Sequence, residues 1–215
     1  IIVLLVFPSN LSTASLLFIM VFILSFIAGY PIRYLINIIG IGFVSILLFF
    51  LLINIFPGIF SNRVDTWINR IENFTSGKSA DGNYQVARAK TAIVTGKIFG
   101  LGAGKSRMKN FLPQSSSDFI YAIIVEEYGL LGGVGLIVIY ILLLFRIVVI
   151  SYKTVDVFGK LTVIGLGVPV ILQAFTNIGV ALQVLPVTGQ NLPMISSGGT
   201  SAWMTCISMG IILSI

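Results

Sequence analysis

The stretch GLGAGKSRMKNFLPQSSSDFIYAIIVEEYGLLGG, residues 100–133, decides how this chain is read. It opens as a glycine-rich basic loop, passes through three serines to Asp118, and enters an apolar run that carries Glu126 and Glu127. Polar residues giving way abruptly to a long apolar run mark a helix entering a membrane from its boundary. Outward from there, 57% of the 215 residues are apolar and 9% are charged, against about 25% charged in a soluble domain. The composition is that of a polytopic membrane protein. With no histidine present, Ser-His-Asp and Cys-His catalysis and histidine metal sites are excluded from these residues. The single cysteine, Cys206, lies in an apolar run and reads as a small buried residue.

A bilayer span needs about 20 apolar residues. Whole spans are expected at residues 11–30, 34–56, 119–149 and 161–185, with the tail of one at 1–7 and the start of another at 202–215. Backbone in hydrocarbon must pair internally, so all are expected as helices. The chain opens and stops inside apolar runs without a starting Met, which suggests helices beyond both ends. Counting crossings puts Ser9 and Asn10, the long segment 57–117 and the turn 186–200 on one side. The other side has short loops bearing Arg33, Lys153 and Lys160, with Arg146 nearby. The positive-inside rule makes that second side cytoplasmic. The long segment nevertheless holds nine of the thirteen Lys and Arg residues against Asp65, Glu72 and Asp81. A polyanionic ligand on that face would account for the accumulation.

Within the long segment, Arg63, Trp67, Arg70 and Phe74 recur at helical spacing, as in a helix lying in the membrane interface. Residues 83–99 resume a helical pattern, with Val86, Ala89 and Ile93 on one face and Lys90 and Lys97 beside it. GLGAGKS does not complete a P-loop, because the glycine required at position 99 is Phe99. Gly100, Gly102 and Gly104 suit either a tight turn with N–H groups facing an anion or a flexible hinge. Asp118 has three readings: cap of the helix that follows, partner of Lys105, Arg107 or Lys109, or general base. Glu126 and Glu127 are neighbours on a helix and so need different partners; ionisable groups inside a span are functional or paired. The segment LPVTGQNLPMISSGGTS, 185–201, breaks the apolar pattern before a helix N-terminus, where anions are favoured. Gln173 and Asn177 share a helix face, suited to gripping a neighbouring helix.

Three pieces, GNYQVARAKTAIVTGKIFGLGAGKS, FLPQSSSDFIYAIIVEEYGLLGG and FTNIGVALQVLPVTGQNLPMISSGGTS, resemble in order and spacing the SEDS family of shape, elongation, division and sporulation membrane glycosyltransferases. The resemblance covers essentially the whole chain. It implies an all-α polytopic membrane protein, with five to six helices of a ten-helix fold. Residues 1–215 would form one membrane domain, with a long extracytoplasmic loop, 57–118, containing interfacial helices. The last piece is closer to the division type than to the elongation type.

The family polymerises lipid II into glycan strands outside the bacterial cytoplasmic membrane. Its essential aspartate falls on Asp118. Its Arg and Trp at the loop start match Arg63 and Trp67, and the glutamine of its GYQ motif matches Gln85. With Lys97, Lys105, Ser196, Gly198 and Gly199, Arg63 and Gln85 form the candidate substrate-binding set. Glu126, Glu127 and Asn177 are candidate intramembrane polar residues. Expected partners are lipid II, undecaprenyl diphosphate-linked glycan, a class B transpeptidase and other division proteins, and no nucleic acid. A divalent cation, Mg or Mn, is admitted as cofactor, with its ligands unknown. The early turn Pro8-Ser9-Asn10-Leu11 lacks the family's acid, and Thr188 stands where some members carry lysine. A lipid-linked precursor transporter and a non-catalytic division scaffold are the rival readings.

Overall fold

The computed structural model describes residues 2–7, 10–55, 80–112 and 115–215. Among them there are helices and turns and no strand. The chain forms two compact units, Ile1–Asn69 and Arg70–Ile215.

The first unit contains α1 (Ile2–Val6), α2 (Leu11–Ile27) and α3 (Ile32–Ile55). The Asn10 side chain caps α2 by accepting from the Thr13 N–H at 3.2 Å. The helix stops where glycine permits a left-handed turn: Gly29 has φ +79°, and the Tyr30 N–H reaches back to the Ser25 carbonyl at 3.0 Å. Pro31 then starts the next helix. Much of the α3 surface, including Ile36, Ile41, Phe43 and Leu47, is exposed and apolar, as lipid contact requires.

The second unit contains α4 (Ala80–Gly96), a 3₁₀ turn (Met108–Asn110), α5 (Ile120–Lys153), α6 (Val157–Ala181) and α7 (Gly199–Ser214). Among the described residues, α5 and α6 are long and apolar enough to cross a membrane; α2 and α7 are shorter apolar helices. α6 is the central element. Its buried residues Val163, Gly167, Val170, Ala174, Asn177 and Ala181 recur at three and four and turn one face into the core. A Cβ at Gly167 would lie 2.7 Å from the Ile147 side chain, so glycine is what lets α5 and α6 close. Asp156 caps α6 through the Gly159 N–H at 3.0 Å. α4 lays Ala89 and Ala92 against Phe119, just before α5, against Ala122 of α5 and against Val180 of α6, with Ala89 on the face expected from its spacing.

The expected span 119–149 is not one helix. Gly129 adopts φ 72°, ψ −172° inside α5 and divides it into arms 120–128 and 130–153. At about 1.5 Å per residue, the longer arm alone is long enough for the roughly 30 Å hydrocarbon layer. The break frees backbone groups that an unbroken helix would pair with one another, and the turn after α4 takes them. Leu101 and Gly102 donate to the Glu126 and Glu127 carbonyls at 3.0 and 2.9 Å. Leu130 and Leu131 donate to the Lys97 and Ile98 carbonyls at 2.8 and 3.3 Å. Glycines permit the approach: a Cβ at Gly96, Gly100 or Gly129 would overlap the Val125, Glu127 or Ile98 carbonyl respectively. The glycine loop is therefore a plug set into a helix break, and the Leu101 and Gly102 N–H groups are spent on protein carbonyls rather than facing an anion.

Candidate active site

Asp118 is half-buried in the turn 115–119 that leads into α5. The cap position of α5 is Phe119 and makes no side-chain cap hydrogen bond, so Asp118 does not cap the helix. Among the described residues no Lys or Arg is in ion-pair contact with its carboxylate. Among the described residues, neither the cap nor the cation pair is formed. Its Oδ2 lies 3.6 Å from where a Cβ at Gly189 would be, and Gly189 has φ +68°. Glycine there suits the backbone and leaves room beside the carboxylate.

The turn is clasped from behind. The buried Asn177 amide donates from Nδ2 to the carbonyls of Asp118 at 2.9 Å and Gln190 at 2.6 Å. The Ser196 hydroxyl donates to the Ser117 carbonyl at 2.6 Å and accepts from the Leu192 N–H at 2.7 Å. Ser197 donates to the Ser116 carbonyl through its N–H at 2.8 Å and its hydroxyl at 3.0 Å. The buried Tyr140 phenol on the long arm of α5 donates to the Pro193 carbonyl at 2.6 Å. Segment 186–198 is thus laced to the serine turn and to α5, and Asp118 is held through its carbonyl, with no partner for its carboxylate among the described residues. The lacing sets residues 116–118 beside residues 190–197. Two buried oxygens, Asn177 Oδ1 and Thr188 Oγ1, have no hydrogen-bond partner among the described residues.

Other candidates fall around this frame. Gln85 is half-buried on α4, one turn before Ala89. Lys97 is exposed at the end of α4 with φ +47°. Lys105 is exposed, and its aliphatic stem lies over Gly102, 3.4 Å from where a Cβ would be. The Arg88 guanidinium stacks on the rings of Tyr84 and Phe111, 5.0 and 5.7 Å from their centroids, and ties α4 to the end of the basic loop. Gly198 caps α7, and a Cβ there would lie 2.6 Å from Asn191 Nδ2. Gly199 is exposed with open space beside it. Arg63 and Trp67 lie outside the described residues.

Glu126 and Glu127 differ in burial. Glu126 is 0% exposed, and its carboxylate accepts from the Ser106 hydroxyl, from the Arg107 N–H at 3.1 Å and from the Met108 N–H at 3.3 Å. Glu127 is half-buried. Ser106 and Tyr140 were not singled out from sequence. A lone phenol in an apolar run signals a buried polar partner, but nothing local marks Ser106.

Among the described residues no three Asp, Glu, Cys or His side chains come together to hold a metal. A divalent cation would therefore have to be held mainly by substrate phosphates and water, an arrangement that Mg²⁺ often adopts.

The model of the cell cycle protein family that takes in FtsW, RodA and SpoVE matches residues 1–215. A probable peptidoglycan glycosyltransferase FtsW of Xanthomonas oryzae pv. oryzae is 37% identical over 156 residues, 71% of this chain and 30% of that protein. Stage V sporulation protein E of Bacillus subtilis is 32% identical over 154 residues, 71% of this chain and 41% of that protein. A solved chain of a peptidoglycan synthase complex, described as coordinating polymerization and crosslinking, superimposes with a TM-score of 0.68 at 26% identity, over 97% of this chain and 56% of that one. The matched region spans less than half the length of these curated relatives.

Proposed function

The chain belongs to the FtsW, RodA and SpoVE family, and from that membership we propose that it is the catalytic part of a membrane-embedded peptidoglycan glycosyltransferase of the division type. The observation that carries this reading is Asp118, a carboxylate free of cap and of cation among the described residues, held on a rigid turn after a loop bearing Lys105, Arg107 and Lys109. Asp118 accepts the proton of the GlcNAc 4-hydroxyl of an incoming lipid II. That oxygen attacks the anomeric carbon of the MurNAc at the growing end, with inversion, and undecaprenyl diphosphate departs. Base catalysis of this kind contributes roughly 10²–10⁴-fold. The leaving diphosphate keeps its charge, so fixed cations supply further stabilisation; Arg63, Lys97 and Lys105 are the candidates. A divalent cation, when bound, would be held mainly by substrate phosphate oxygens and water and would neutralise the diphosphate, leaving Asp118 free to act as the base.

On this reading the Asp118 end of the second unit faces outside the cytoplasmic membrane, and the Lys153 and Lys160 end faces the cytoplasm. This orientation is supported by the short-loop charges. Five to six membrane helices of a larger fold, and a class B transpeptidase as partner, belong to the same proposal. The partner is supported by the likeness to a chain from a synthase complex. The test is lipid II polymerisation by the full-length protein with Asp118→Asn. The expected result is a loss of at least about 10²-fold with unchanged thermal stability; activity near wild type would remove Asp118 as the base.

A further inference from the structure

Glu126 is fully buried on the short arm of α5 and holds the basic loop at two points. Its main-chain carbonyl takes the Leu101 N–H at 3.0 Å. Its carboxylate takes the Ser106 hydroxyl, the Arg107 N–H and the Met108 N–H. The Ser106 oxygen in turn accepts from the Lys109 N–H at 3.1 Å. One residue therefore sets the path of 101–109, and the side chains of Lys105, Arg107 and Lys109 stay exposed.

Burying a carboxylate is costly unless several donors converge on it. Here three donors do, and main-chain N–H groups supply two of them, so no cation of the loop is spent on neutralising it. A surface loop that needed only to be tethered could be tied by a neutral side chain. A buried charge whose hydrogen bonds are mostly to main chain instead fixes backbone direction, because charge-assisted bonds are short and strong. A glutamine at this place would turn its NH₂ toward the Ser106 oxygen, which already accepts from Lys109, and the serine proton would lose its acceptor.

We propose that Glu126 is a positioning residue, whose buried carboxylate shapes the 101–109 loop so that Lys105, Arg107 and Lys109 together grip the diphosphate of a lipid-linked substrate. The inference rests on the proposed glycosyltransferase reading for the identity of the substrate. Its core, a diphosphate grip shaped by Glu126, is open to test without turnover.

The experiment uses the full-length protein in nanodiscs and inorganic pyrophosphate as probe. Glu126→Gln should weaken pyrophosphate binding about tenfold and raise the KM for lipid II by a similar factor, with kcat changed less. Lys105→Ala should weaken pyrophosphate binding likewise, and the double variant should lose less than the product of the two. Ser106→Ala should move in the same direction as Glu126→Gln, and Ser106→Thr should restore wild-type binding; this pair carries the test if the Glu126 variant does not fold. Pyrophosphate binding unchanged in both Glu126→Gln and Ser106→Ala would overturn the proposal, as would a fall in kcat at constant KM. Wild-type protein that binds pyrophosphate in a Glu126-dependent way but makes no glycan would support the grip and defeat the polymerase reading.

Discussion

Replacing Gly129 with alanine tests the central structural claim, that α5 is held open by the turn inserted into it. The four groups freed by the break have two ways to be satisfied. They pair with Lys97, Ile98, Leu101 and Gly102, as observed, or with one another in an unbroken helix. Alanine shifts this choice twice. In the broken form it must adopt φ 72°, ψ −172°, a region essentially confined to glycine and costing about 1–3 kcal/mol, and its Cβ would overlap the Ile98 carbonyl. In the unbroken form alanine is better than glycine by about 1 kcal/mol. The sum disfavours the broken form by about 2–4 kcal/mol before the overlap is counted, a shift of roughly 30- to 700-fold. Straightening would swing residues 120–128, and with them Asp118 and Glu126, away from their partners. Hydrogen exchange on the full-length protein in nanodiscs reads the outcome: the Leu101 and Gly102 amides lose protection while residues 126–133 remain helical, and polymerisation falls. Wild-type protection at Leu101 and Gly102 together with wild-type activity would refute the reasoning.

The clasp behind Asp118 yields three further predictions. Asn177→Leu removes two hydrogen bonds to carbonyls, at about 1–3 kcal/mol each when an acceptor is left buried, and also removes the unpartnered Oδ1, which offsets part of that loss; Asn177→Asp keeps the shape but sets an oxygen against both carbonyls, so thermal unfolding should rank wild type above Leu and Leu above Asp. Tyr140→Phe strands the Pro193 carbonyl at a cost of about 1–3 kcal/mol, visible as a lower Tm and faster exchange across 190–198; an unchanged Tm would mean that the phenol holds nothing. Gly189→Ala strains a left-handed residue by about 1–2 kcal/mol and sets a methyl group against the Asp118 carboxylate, so polymerisation should fall further than stability; equal losses would argue that the space beside Asp118 is not used.

The helices were legible because their cause is local. Apolar runs of sufficient length marked the spans, and the spacing of Ala89 and Ile93 marked the inner face of α4. Asp118 was not legible from its surroundings. From spacing alone, Ser-Ser-Ser-Asp before an apolar run favours a capping residue, and only the resemblance points to the carboxylate as base; the structure places Phe119, not Asp118, in the cap position. The break in α5 was missed for a different reason. Hydropathy registers the side chains on either arm, whereas the break is an exchange of main-chain hydrogen bonds between segments about thirty residues apart. Its traces in the sequence are the glycines at 96, 100 and 129, each standing where a Cβ would strike a carbonyl. From sequence only Gly100 of these three is read, as a turn or hinge residue; nothing local marks Gly96 or Gly129. Their common cause appears only once the two backbones are seen side by side.

The same arm explains why two carboxylates eight residues apart can hold opposite states. A general base must keep its lone pairs available, and a cation in contact would stabilise its charge and weaken it as a base. The loop after α4 carries three cations at 105, 107 and 109, any of which could have quenched Asp118. The loop is instead anchored to Glu126 through Ser106 and two main-chain N–H groups, so its backbone is held while its cationic side chains stay exposed. Asp118 is fixed by its carbonyl through Asn177, and among the described residues its carboxylate has no hydrogen-bond partner. In both cases main-chain contacts do the holding, and on the proposed reading the charged groups are left for a substrate that brings both a hydroxyl to deprotonate and a diphosphate to hold.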